Sequence, residues 1–169
     1  MPVMPDMRVI AVLTGLSVLA ITVSGSQHPL LVWNASASAP RGLYGVIPAE
    51  HYERGDLVLV DPQPWIGEFA ARRGYLPAGV PLVKRISAAA GHTVCSDRLM
   101  VRVDGKPAAK RLLTDSKHRA LPRWQGCHRL KAGEEFLLMR GVRDSFDGRY
   151  FGVTPTADNL GKLVPLWTY

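Results

Sequence analysis

One stretch near the start of the chain constrains its architecture more than any other. Residues 9–27 carry no charged side chain, and 9–23 read VIAVLTGLSVLAITV. At 1.5 Å per residue, a helix over 9–27 is about 28 Å long, close to the roughly 30 Å hydrocarbon core of a bilayer. The remainder cannot be more of the same. Over 169 residues, 47% hydrophobic and 21% charged side chains are globular proportions, which argues against wholesale disorder and against several membrane spans. The expected organisation is a short cytoplasmic N-terminus (1–8), a transmembrane anchor (9–27) and one domain (28–169). A cleaved signal peptide is the rival reading. Its small-residue pattern, Ala37-Ser38-Ala39, lies well past the apolar run and precedes Pro40, a poor site for cleavage, so a retained anchor is favoured. Asp6 and Arg8 cancel, so charge says little about orientation.

Downstream, short apolar runs alternate with turn signals. Residues 57–60 (LVLV), 80–86, 99–103 and 135–139 read as strands, with Asp104-Gly105 as a tight hairpin turn. A short helix fits 66–72. The segment 108–128 reads as an irregular excursion, and 163–167 as a last edge strand, because Pro165 would be excluded from a central one. Sixteen glycines and thirteen prolines favour such a loop-rich, mainly β fold over a helical bundle.

Several chemistries find no support. Two cysteines are too few for a cysteine zinc site or a disulfide scaffold, and the five histidines show no metal-ligand spacing, so neither metal nor cofactor is expected. The net charge of +7 admits an anionic partner, yet the basic residues are scattered with no aromatic-interleaved stripe. No nucleic acid is expected.

Three segments remain: Asn34-Ala35-Ser36-Ala37-Ser38-Ala39-Pro40-Arg41-Gly42-Leu43-Tyr44, then Lys84 in its apolar strand, then Ser145-Phe146-Asp147-Gly148-Arg149-Tyr150-Phe151-Gly152. Singly they are bland, since serines among small residues make linkers, lone lysines snorkel, and Asp-x-Arg is usually an ion pair. In this order, behind an apolar anchor, they resemble the signal peptidase I family of serine–lysine peptidases, peptidase family S26. The box beginning at Ser38 lacks the methionine that commonly follows the serine, and is similar to the TraF branch, conjugative-transfer peptidases that process pilin precursors.

That resemblance implies a mainly β fold, the folded β-sheet barrel shared with LexA-like proteins. It implies a single-pass protein of the bacterial inner membrane with its catalytic domain in the periplasm. The implied partner is a protein substrate, a pilin or other exported precursor. Ser38 would be the nucleophile and Lys84 the general base. A serine hydroxyl needs a base within reach, and lysine serves only when neutral. Its pKa must therefore fall from about 10.4, which burial among Pro81, Leu82, Val83 and Ile86 would achieve. The oxyanion would be met by the backbone N–H of Ser38 and the hydroxyl of Ser36. Ser145 would orient Lys84. Asp147 and Arg149 would form an ion pair holding the last box to the catalytic strand, or Asp147 would act in the chemistry itself; Tyr150 and Gly152 fill packing and turn roles. Gly91-His92 departs from the family's usual Gly-Asp, in a turn remote from the dyad. Cys95 and Cys127 would be a disulfide by the same resemblance, or else two free thiols. The acyl-enzyme would be resolved by water or, with cyclisation, by the substrate's own amine. The alternatives are a general type I signal peptidase, a LexA-type self-cleaving repressor (which would carry a DNA-binding domain where this chain has its apolar run), and a non-catalytic anchored β domain of a secretion apparatus.

Overall fold

The run Leu57–Val60 is buried at every residue, a pattern that a strand tolerates only when both faces of its sheet are covered. A computed structural model describes residues 29–169, so the expected anchor at 9–27 lies outside the described residues. Among the described residues no helix is long and apolar enough to cross a membrane. The strands are β1 (Leu31–Asn34), β2 (Gly42–Ile47), β3 (Leu57–Val60), β4 (Leu82–Ala88), β5 (Thr93–Asp97), β6 (Met100–Val103), β7 (Lys106–Lys110), β8 (Gly126–Arg129), β9 (Glu134–Leu137), β10 (Thr154–Pro155) and β11 (Asn159–Thr168). Helix α1 (Pro64–Arg73) follows β3, and the one-turn α2 (Gly148–Phe151) follows β9. The fold is mainly β. Seven strands form one antiparallel sheet in the order β1-β2-β11-β3-β4-β9-β10, and four form a second in the order β7-β6-β5-β8.

Alternation along β3 divides the core. Val58 and Val60 pack with Ile66 and Ala70 of α1, with Leu82 and Ile86 of β4, and with Phe146 and Tyr150. Leu57 and Leu59 face the other way, against Ala39, Tyr44, Val46, Val83 and Leu163. A third cluster joins the sheets, where Val94, Val101 and Val103 meet Ala88, Phe136 and Leu138. Helix α1 spans the expected 66–72 and begins with Pro64, whose missing N–H costs nothing in a first turn. It ends at Gly74, whose φ of 71° suits a glycine cap.

The tail meets the edge-strand expectation only over 163–167, because the strand that contains it starts between two neighbours. In the sheet order β11 lies between β2 and β3. It pairs with β3 only over Asn159–Lys162, so Pro165 sits where that side is open and a bulge follows it along β2. A proline is tolerated there because no ladder bond to β3 is at stake. The excursion at 108–128 also holds more order than expected, since β7 ends and β8 begins inside it. Cys95 and Cys127 are opposite one another on β5 and β8, and their sulfurs are bonded.

Candidate active site

Loop 35–41 joins β1 to β2, and one buried side chain braces it. Asn34 closes β1 at 5% exposure. Its Nδ2 donates to the carbonyls of Ser36 (3.2 Å), Ala39 (3.1 Å) and Pro40 (3.0 Å), while its Oδ1 accepts from the Ser36 N–H (3.1 Å) and the Ser36 hydroxyl (2.8 Å). Tyr44 Oη adds a bond to the Pro40 carbonyl at 2.7 Å. At Gly42 a Cβ would collide with the Trp167 carbonyl, so only glycine lets the chain leave this loop flat against β11. Ser38 Oγ lies 2.8 Å from Ser36 Oγ. A hydroxyl has one proton, and that of Ser36 is on Asn34, so Ser38 donates in this pair. The chain of hydroxyls runs from Ser38 through Ser36 to Asn34.

Lys84 occupies the middle of β4 opposite Val58, on the face that carries Leu82 and Ile86. It is 4% exposed. Burial pushes its pKa from 10.5 down to about 8, the negative charge of Asp147 opposing that shift and Arg149 adding to it. Ser145 is buried too, and among the described residues its Oγ has no hydrogen-bond partner. Ser36, Ser38, Lys84 and Ser145 all line one cavity of about 630 Å³, whose walls include Leu76, Val80, Leu82, Leu121 and Phe146.

Asp147 is committed elsewhere. It caps α2 and is wholly buried, with Oδ1 accepting from Arg149 Nε (2.7 Å) and N (3.2 Å), and Oδ2 from the Met139 N–H (3.0 Å) and Arg149 Nη2 (3.0 Å). Arg149 in turn donates to the carbonyls of Met139 and Arg143, both at 3.0 Å. The pair therefore fastens 139–149 into a fixed loop that presents Ser145. Gly148 belongs to the same device, because a Cβ there would lie 2.6 Å from the Leu137 carbonyl.

Two contributors escaped the sequence reading. One is Asn34, whose signal was an asparagine ahead of a serine turn. The other is Asp115, which ties the 111–125 segment over the cavity. Its Oδ2 accepts from Tyr75 Oη (2.7 Å) and Arg119 Nε (2.8 Å), with Arg73 Nη1 at 3.4 Å. Those bonds hold its carboxyl well below the usual range, despite the opposing effect of burial. Nothing in the sequence pointed from residue 115 to residues 73 and 75. Cys95 and Cys127 lie on the second sheet, apart from the cavity. Among the described residues no cluster of His, Cys, Asp and Glu is arranged to hold a metal ion.

Comparisons with known proteins give the class of this mainly β domain. The family described as signal peptidase, peptidase S26, matches residues 5–167, and the chain belongs to that family. Within it the chain is similar to the TraF proteins of plasmid conjugation. A plasmid transfer protein TraF from Escherichia coli is 36% identical, over 94% of this chain and 93% of the relative. A second from Escherichia coli is 35% identical, over 80% and 82% of the two chains. The conjugal transfer protein TraF of Agrobacterium fabrum (strain C58) is 33% identical, over 94% and 97%. Among solved structures, a signal peptidase I from Enterococcus faecalis V583 aligns with 69% of this chain and 100% of its own, at 20% identity and a TM-score of 0.38.

Proposed function

We propose that this protein is a membrane-anchored serine endopeptidase of conjugation, with Ser38 as nucleophile and Lys84 as general base. One observation carries the reading. Lys84 is buried, its pKa is lowered to about 8, and it lines the same cavity as Ser38. A lysine that loses its proton this readily is matched to base catalysis near neutral pH.

In the proposed reaction the Ser38 hydroxyl swings from Ser36 toward Lys84. Its proton passes to the neutral Nζ as Oγ bonds to the scissile carbonyl carbon. The Ser38 N–H, and Ser36 if its proton turns from Asn34, meet the oxyanion. The Lys84 ammonium then protonates the departing amine, the C–N bond breaks, and the acyl group stays on Ser38 as an ester. Water, or the substrate's own amine with ring closure, releases it and regenerates neutral Lys84. Ser145, whose buried hydroxyl is unpartnered, turns to bond Lys84 Nζ in this reaction and so orients the lysine. Asp147 and Arg149 support the loop that carries Ser145 and take no part in proton transfer.

The substrate is an exported precursor, a pilin subunit in particular; the conjugation and plasmid-transfer names of the relatives support this. Residues 9–27 form the inner-membrane anchor, 1–8 lie in the cytoplasm, and 28–169 work in the periplasm. Two features favour that placement. Trp33 on the first described strand is half exposed and packs against Trp167, which packs on Tyr169, as aromatics do at a membrane surface. The Cys95–Cys127 disulfide suits an oxidising compartment.

The test is intact-mass analysis of a pilin-like precursor co-expressed with wild type, Ser38→Ala and Lys84→Ala. Processing by wild type alone supports the dyad, and a product one water lighter than the linear fragment identifies cyclisation. Processing by both variants refutes the mechanism.

A further inference from the structure

Ser38 borders a second cavity besides the one it shares with Lys84. The second, about 470 Å³, shares Ala37, Ser38 and Val142 with the first and is otherwise lined by Arg41, Arg85, Arg140 and Met139 among others. Its character is opposite to that of the apolar cavity. All three arginines are exposed, and the hydrogen bonds they make from their side chains go to neutral acceptors: Arg85 donates to the Gly55 carbonyl, and Arg140 Nε to Ser87 Oγ at 3.3 Å. Among the described residues none of them is in an ion pair. Three arginines around one recess, with no Asp or Glu side chain among the residues that line it, repel one another and leave donor forks shaped for a planar anion.

A peptide that presents its scissile bond to Ser38 must continue on both sides of it. The cavity holding Lys84 suits the apolar segment retained as the ester. The open basic recess then receives the segment that departs. We infer that this recess is a subsite for the carboxylate of an acidic side chain on the leaving side of the scissile bond. The inference rests on the proposed peptidase reading. Partly exposed guanidinium–carboxylate pairs contribute modestly, so two or three together amount to roughly a tenfold preference.

The experiment uses the full chain in detergent and a peptide series spanning the precursor's cut. Glu, Gln or Lys is placed in turn at each of the first four leaving-side positions. The expected result is that wild type prefers Glu over Gln by roughly tenfold in kcat/KM at one position. That ratio should fall toward one in Arg85→Gln and Arg140→Gln, and in high salt. Arg140→Glu should invert it in favour of Lys, which mere misfolding would not do. Equal rates for Glu and Gln in wild type, or a preference confined to the acyl side, overturn the inference while cleavage lost in Ser38→Ala still upholds the peptidase. An arginine dependence that appears only with anionic vesicles assigns the recess to lipid and also overturns it. If Ser38→Ala cuts as well as wild type, the peptidase reading fails and the inference falls with it.

Discussion

Replacing Lys84 by methionine should abolish catalysis and yet stabilise the protein at neutral pH. Methionine keeps the length and apolar stem of the side chain and removes the ammonium. The folded-state pKa of Lys84 is about 8, against an ordinary value of 10.5. Below pH 8 the lysine is protonated whether the chain is folded or unfolded, and the fold carries the whole penalty of a buried cation. At 1.36 kcal/mol per pKa unit the shift corresponds to about 3 kcal/mol. Between pH 8 and 10.5 the folded protein has released the proton while the unfolded chain still binds it, so wild-type stability rises with pH. Above 10.5 both forms are neutral and the penalty is gone. Lys84→Met should therefore exceed wild type by about 3 kcal/mol at pH 6.5, with the difference shrinking toward zero by pH 10.5. Urea denaturation of both proteins, followed by tryptophan fluorescence at several pH values, measures this. The buried tyrosines also titrate at high pH, but they do so in both proteins and cancel in the difference. A variant no more stable than wild type at pH 6.5, or a difference independent of pH, would refute the claim that Lys84 is held against its charge.

Other perturbations separate support from chemistry. The kcat/KM of wild type should climb as pH rises through about 8 and level off above it, because only neutral Lys84 accepts the Ser38 proton; a profile flat from pH 6 to 9 would exclude it as the base. Asp147→Asn should cost about 3–5 kcal/mol of stability, since Arg149 would keep its buried charge without a full partner. A stable but inactive Asp147→Asn protein, by denaturation and kinetics, would instead give Asp147 a chemical role. Asp115→Asn should loosen the segment over the cavity, lowering stability by about 2 kcal/mol and raising KM more than it lowers kcat. Cys95→Ser should cost about 3 kcal/mol, appropriate to a cross-link between residues 32 apart, and should leave precursor processing intact.

How much could be read in advance follows from the range of the interactions. The run at 57–60 announced a doubly covered strand because four consecutive apolar residues have few other uses. Ser38, Lys84 and Ser145 could be picked out only through their order along the chain, which resembles that of serine–lysine peptidases. Their meeting in one cavity depends on β3, β4 and the 139–149 loop packing as they do. The bracing of the serine loop was not legible. Asn34 reaches Ala39 and Pro40 only because β1 and β2 pair on either side of a tight loop, and those strands sat in what resembled a linker. Pro165 correctly marked a stretch open on one side, but nothing local showed that 159–162 of the same strand pair with β3 as well as lying beside β2. Asp115 meets Tyr75 across 40 residues, a contact that no local pattern carries.

In the proposed mechanism Ser38, activated by Lys84, becomes the site of an acyl-enzyme. The most direct measurement is acid quenching of the wild-type protein during turnover of a precursor peptide, followed by peptide mapping in a mass spectrometer. The acyl fragment should appear as an ester on the peptide containing Ser38, accumulating faster as pH passes about 8 and absent from Lys84→Met. An ester on any other residue, or undiminished cleavage by Ser38→Ala, would contradict it.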